Sequence, residues 1–355
     1  HFKFVEWIEG DTITVEANAD YWGGAPSISE IIFRVIPDDS ARFLALKAGD
    51  IHAFEQGVVE DLISAEADPD LYVLTRPALN TGYLSFNYKI VEFQDKNVRL
   101  AIYHAINRPG LIENFYGAYG EMAQTFTPPL IWGKNKDIKA YAYDPDLAKQ
   151  YLADAGFADG LSEVTIAEDV VDAEGTVLYT AGQKIPLTLL YMPVTRFYYP
   201  SPEEIGTAMA ADLANAGIVA NLELAGDWST YLGLRRNGHL MGLYMLGWGG
   251  DNGDPDNFIG YFFGGLNSAD EVKEPDPREG WYANQEVASL LYDAAINSDQ
   301  AERAAMYEQV EQLLHDDVAR IWIAHNNTPL IFSATVSGYV PQPVGADYYE
   351  WTVIE

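Results

Sequence analysis

The stretch that most constrains this chain is residues 246–262, LGWGGDNGDPDNFIGYF, because no packing demand explains so many acids, amides and glycines directly after an apolar run. Gly242-Leu243-Tyr244-Met245-Leu246 ahead of it predicts a buried strand. Gly-Trp-Gly-Gly then predicts a sharp turn that a ligand could approach closely, with Asp251 at the strand's end. Ligands gather at such strand ends in α/β folds. Two plainer readings of the loop stay open. It suits a solvated turn held by Asx hydrogen bonds and bent by Pro255. Asp251, Asp254 and Asp256 also offer hard oxygens to calcium, although the central Gly of a calcium loop is absent and its twelfth position is Phe262.

The rest of the chain alternates strands and helices, which predicts an α/β architecture. Residues 1–17 read as a hairpin about Gly10-Asp11 and 31–36 as a strand. Pro37-Asp38-Asp39-Ser40 caps a helix over 41–48 that Gly49 ends. With a strand over 51–54, a β-α-β unit is expected to be complete by residue 55. Further strands are predicted over 83–87, 186–191, 218–224, 320–324 and 330–332. Helices are predicted over 97–107, 144–155, 202–216, 284–296 and 300–317. Residues 166–184 look like an inserted hairpin, with no purpose legible in its residues.

At 355 residues the chain is long for one core, and two lobes are the natural expectation. Its 53 acidic and 21 basic residues give a formal charge of −32. A phosphate backbone would be repelled, so nucleic acid is not an expected partner. The same excess suits a saline or acidic exterior. With no cysteine, disulfides, thiolate metal sites and a cysteine nucleophile are excluded. No apolar run reaches membrane-spanning length. An export signal, if the protein is exported, is expected upstream of His1.

Taken together, the segments resemble the peptide-binding family of extracytoplasmic solute receptors that feed ABC importers. Gly10-Asp11, Asn18, Tyr21-Trp22-Gly23-Gly24-x-Pro26, Ile36-Pro37-Asp38 and Ala45-Leu46-x-x-Gly49-x-Ile51 follow that family's order and spacing. So do Tyr83-Leu84-x-Phe86-Asn87, Val98-Arg99-x-Ala101-Ile102, Asp144-Pro145-x-x-Ala148-Lys149 and Ala155-Gly156-Phe157. His52 stands where the family commonly has Asp, and reads as scaffold variation. The resemblance implies a periplasmic-binding-protein-like α/β fold of class C, with two α/β lobes about a hinge. Residues 1–86 and 326–355 would belong to lobe I and 87–325 to lobe III. Lobe II and the N-terminal part of lobe I are expected ahead of His1, so the chain reads as the C-terminal portion of a receptor.

Residue by residue, the resemblance implies that Asp251, in a Trp-x-x-Asp segment after Trp248, pairs with a peptide's α-ammonium. It implies likewise that Arg196, in Met192-Pro193-Val194-Thr195-Arg196-Phe197-Tyr198, holds the peptide's C-terminal carboxylate. The physical logic is independent of the family: a zwitterion needs opposite charges fixed a short span apart, and the planar fork of Arg matches a carboxylate. Trp248 and Tyr198 could supply apolar walls or pack in the core, and Gly249 and Gly250 complete the expected ligand-binding set. The implied function is capture of short peptides, dipeptides foremost, between lobes, and delivery to a permease. That is binding without chemistry, cofactor or metal, by a monomer outside the cytoplasm, with a lipid anchor as one form of attachment.

Rival readings remain at this level. Relatives in the family take oligosaccharides, nickel complexes, opines or glutathione. A carbohydrate-active hydrolase could use Asp254 and Asp256, although two acids two residues apart in one Pro-containing loop are poorly placed for opposite faces of a sugar. His315 and His325 read as helix-end and strand-end residues. No Ser-His-Asp order, phosphate loop or His-Glu-x-x-His segment supports other chemistry.

Overall fold

A computed structural model describes residues 1–344 and 347–355. The chain divides into two compact units, the first made of residues 1–78, 116–119 and 327–355 and the second of 79–115 and 120–326. The sequence-based boundary after residue 86 therefore moves back to 78. The reason is that Asn80–Phe86 is buried along its whole length and lies inside the second unit's sheet.

In the first unit, Phe2–Ile8, Thr12–Ala17 and Glu30–Arg34 form an antiparallel sheet in that order. The helix Asp39–Ala48 follows, with the Asp38 carboxylate accepting from the Ala41 N–H and Gly49 closing the helix at φ 79°. Ala53–Glu55 then joins Thr328–Ser333 and Leu71–Arg76 in a separate sheet. The expected β-α-β unit is thus not formed, because the strands on either side of the helix belong to different sheets. Phe43 and Leu46 of the helix share a core with Phe54, Leu62, Ala65 and Ile331. Burying that face draws the next strand to the sheet that carries Ile331.

The second unit is built on a six-stranded mixed sheet. In order its strands are Asn221–Leu224, Thr188–Tyr191, Leu243–Gly249, Asn80–Phe86, Arg320–Asn326 and Gly120–Met122. Thr188–Tyr191 is parallel to both of its neighbours, whereas Leu243–Gly249 and Asn80–Phe86 are antiparallel. Asn80–Phe86 and Arg320–Asn326 are buried at every residue, as strands covered on both faces are. The helices Lys96–Ala105, Pro145–Asp154, Pro202–Asn215, Gln285–Ile296 and Gln300–Asp316 supply the cover. The inserted segment forms two small antiparallel pairs, Glu163–Thr165 with Lys184–Pro186 and Val170–Val171 with Val177–Tyr179.

A buried ion triad ties three parts of this unit together. The Glu279 carboxylate accepts from Arg320 of the strand Arg320–Asn326 and from Arg235 in the last turn of the helix Trp228–Arg236. Two guanidiniums against one carboxylate leave a net positive charge in the interior. Aromatic faces cushion it: the Arg320 guanidinium carbon lies 4.5 Å from the Tyr83 ring centroid and 4.8 Å from that of Phe263. Removing the carboxylate strands both cations, which for a buried pair costs about 3–5 kcal/mol. Glu279→Ala is therefore expected to lower the urea midpoint by that equivalent.

His325 sits in the same core. Its Nδ1 is 2.8 Å from the Asn80 carbonyl, and burial pushes its pKa down from 6.5 to about 3. Between those values the unfolded chain binds a proton that the folded chain does not, so this residue's stability contribution is present above pH 6.5 and is lost as pH falls toward 3. Replacing it with Gln, His325→Gln, should flatten the dependence of unfolding free energy on pH over that interval by one proton. Denaturant melts of both proteins across the interval check it, and parallel curves would exclude His325 as the source.

Candidate functional site

The glycine-rich stretch does not turn where the sequence suggests. Gly247, Trp248 and Gly249 remain in the strand, paired with Gly82, Thr81 and Asn80, and the Gly250 N–H still donates to the Leu79 carbonyl at 2.8 Å. The chain leaves the sheet only at Asp251. The glycines serve a different purpose from the expected one. A methyl group at Gly247 would overlap the Tyr198 ring, one at Gly249 the Phe197 ring and one at Gly250 the Phe258 ring. Across the sheet, a methyl group at Gly82 would stand 2.7 Å from the Tyr198 carbonyl oxygen. Gly82 and Gly247 are register partners, so the two make a bare patch on one sheet face.

The turn from Arg196 to Tyr199 lies on that patch. The Arg196 N–H donates to the Tyr199 carbonyl at 3.1 Å, and the Tyr199 N–H donates back at 2.8 Å. The Asn326 amide Nδ2 donates to the Phe197 carbonyl at 2.6 Å. Asn326 is held in turn by Asn80, which accepts its backbone N–H at 3.0 Å and donates to its carbonyl at 2.8 Å. Sequence reading missed Asn326, since nothing local in the chain links it to residue 197.

Arg196 is half-buried and makes no ion pair among the described residues. Its side chain hydrogen-bonds the Tyr198 hydroxyl and reaches the Thr195 carbonyl at 3.4 Å. Its guanidinium carbon lies 4.7 Å from the Trp228 ring centroid. Burial pushes the Tyr198 hydroxyl up to about 12, against the opposing pull of Arg196. Tyr198 is 5% exposed, so most of its ring is packing.

Asp251 is exposed. Its N–H donates to the Asn257 Oδ1 at 2.8 Å, and the Asn257 amide donates to its carboxylate at 3.3 Å. No cation pairs with it among the described residues. Trp248 stacks on Tyr261 with centroids 5.2 Å apart and planes 15° from parallel, and Tyr261 is 52% exposed. Trp248 alternates with Gly247 and Gly249 in the strand, so its ring points to the sheet face opposite the one that Tyr198 and Phe197 cover.

Topology brings Arg196 and Asp251, though not the Trp248 ring, to one edge. Thr188–Tyr191 and Leu243–Gly249 run parallel, so the segment carrying Arg196 and the loop carrying Asp251 both leave the sheet at the carboxyl ends of neighbouring strands. The Phe197 ring packed over Gly249 fixes that proximity. The other acids of the loop are engaged otherwise. Asp254 takes a two-point ion pair from Arg303, at 2.8 and 3.0 Å. Asn252, Asp254, Asp256, Asn257, Ala295 and Arg303 line a cavity of about 240 Å³, which Arg196, Tyr198 and Trp248 do not touch. Among the described residues no three His, Asp or Glu side chains converge as metal ligands. No helix among them is long and apolar enough to cross a membrane.

Over its full length the chain is 29% identical to the dipeptide-binding protein of Escherichia coli (strain K12), of which it covers 60%. It is 30% identical to heme-binding protein A of Haemophilus influenzae, with 98% of this chain and 58% of that one aligned. Among solved structures, the ABC transporter-associated periplasmic binding protein DppA from Helicobacter pylori, in complex with the peptide STSA, superposes with a TM-score of 0.82 at 28% identity. That superposition covers all of this chain and 62% of the other. The chain thus spans about three fifths of the length of the relatives it matches, and its fold is that of periplasmic binding proteins. Residues 1–270 match the model of the bacterial extracellular solute-binding proteins, family 5, and the chain belongs to that family.

Proposed function

We propose that the protein captures short peptides, dipeptides foremost, outside the cytoplasm and hands them to the permease of an ABC importer. In this reading Arg196 takes the peptide's α-carboxylate and Asp251 its α-ammonium. One observation carries it: two opposite charges stand at the carboxyl ends of neighbouring parallel strands, and neither is neutralised by an ion pair among the described residues. Elsewhere in the unit Arg235, Arg303 and Arg320 are each matched to an acid, and the buried Arg99 and Arg108 each fill their forks with three backbone carbonyls, whereas Arg196 reaches only the Thr195 carbonyl and the Tyr198 hydroxyl. A charge held partly desolvated without a partner suits an external ligand that brings the counter-charge.

The remaining expected residues take supporting roles. The Tyr198 hydroxyl borders Arg196, and Trp248, stacked on Tyr261 on the opposite sheet face, holds the strand that leads to Asp251. Gly249 and Gly250 form the backbone that delivers Asp251. No step of bond making is required, so the proposal is binding without catalysis. The names of the E. coli and H. pylori proteins support a peptide ligand. Asp254, occupied by Arg303, is poorly suited to the paired-acid chemistry of a glycosidase.

Hand-over to a permease needs release, which suits a Kd near micromolar, or about −8 kcal/mol. Truncating one partner of a desolvated charge pair costs about 2–5 kcal/mol, roughly 30- to 5,000-fold in affinity. Arg196→Ala and Asp251→Ala, each made in the full-length protein, are expected to weaken dipeptide binding in calorimetry by at least the lower figure. Unaltered affinity in either variant removes that residue from the site.

A further inference from the structure

An arginine with no acid beside it has many rotamers open to it, and fixing a long side chain costs conformational entropy. What lies against Arg196 is an indole, with the guanidinium carbon 4.7 Å from the Trp228 ring centroid. Trp228 is itself held from three directions. It opens the helix Trp228–Arg236, whose N-terminus is capped by the Asp227 carboxylate accepting the Thr230 N–H at 2.8 Å. Its ring lies nearly parallel to that of Tyr231, with centroids 6.0 Å apart and planes 12° from parallel. The last turn of the same helix is fixed by the ion pair of Arg235 with Glu279.

Tyr231 carries this support to the sheet. It is fully buried, and its hydroxyl donates to the Met245 carbonyl at 2.6 Å with the Leu190 carbonyl 3.2 Å away. Those two carbonyls belong to the strands that lead to Asp251 and Arg196. The indole is thereby referenced to the same two strands that place the charges.

We propose that Trp228 is a positioning residue for Arg196, one that sets the preference for peptides with a free C-terminal carboxylate. An acidic side chain could orient the guanidinium as well, but it would neutralise the charge and compete for its N–H donors. A ring face attracts the cation through its quadrupole and contributes no acceptor in the guanidinium plane, so the edge donors stay open to a carboxylate. This inference rests on the dipeptide reading of the site.

The test compares alanyl-alanine with its C-terminal amide by calorimetry, in the full-length wild type and in Trp228→Leu and Trp228→Phe. The wild type is expected to favour the free acid. Trp228→Leu should narrow that preference roughly three- to thirty-fold while amide affinity stays within about two-fold. Trp228→Phe, which keeps a weaker ring face, should fall between. A Leu variant with full preference overturns the positioning role and leaves the dipeptide reading standing, and so does one that weakens acid and amide equally. If the Leu variant does not fold, the Phe variant decides: a narrowed preference supports the role and an unchanged one overturns it. A wild type that binds neither ligand, or both equally, overturns the dipeptide reading and this inference with it.

Discussion

The candidate site depends on close contact between a turn and a patch of sheet that has no side chains of its own. Gly82 and Gly247 face each other across the strands Asn80–Phe86 and Leu243–Gly249, and Gly249 extends the bare strip by one repeat. Tyr198 and Phe197 occupy the space that side chains would have filled. Glycine inside a strand weakens it by entropy and lost packing, and the cost is tolerated where another backbone must come close. Here the backbone that comes close carries Arg196. Any side chain at these positions would lift the turn and displace the cation, although no such residue touches it.

Charge is handled differently in the core of the second unit and at the edge of its sheet. Deep in the core, Arg235 and Arg320 share Glu279, and the excess positive charge rests on the faces of Tyr83, Phe262 and Phe263. At the sheet's edge, Asp254 is bound at two points by Arg303. Asp251, three residues earlier in the same loop, has only an amide for company. The loop is thus anchored by one acid while another has no cation beside it among the described residues. Arg196 follows the same division, since the turn that carries it is tied by Asn326 at the Phe197 carbonyl while its charge has no acid beside it.

Much of this was legible in the chain and some was not, for physical reasons. Alternating strands and helices with their caps located most elements, because capping residues and amphipathic spacing act locally; Asp38 and Gly49 at the ends of one helix are examples. The glycines predict a turn opening to a ligand. They remain in strand, because sequence shows that a Cβ is missing and does not show which ring fills the gap. The supposed β-α-β unit failed for a similar reason, since strand pairing is decided by partners such as Thr328–Ser333, far along the chain. Nothing in the sequence singles out Trp228 or Asn326. The first lies in the unpredicted helix Trp228–Arg236, and the second acts through a carbonyl 129 residues away.

The overall charge sharpens the case for a local, well-held cation. At −32 the chain presents a field that repels carboxylates at long range, so a ligand's anionic end gains nothing from steering. That field is screened over about 8 Å at physiological ionic strength, and over less in stronger salt. Within that distance the discriminating interaction is short-range and directional, and it depends on how well one guanidinium is oriented. An indole face does this without adding a negative charge. In a chain with 53 acids, orienting Arg196 with one more would have been the easy arrangement and would have cancelled the property the site needs.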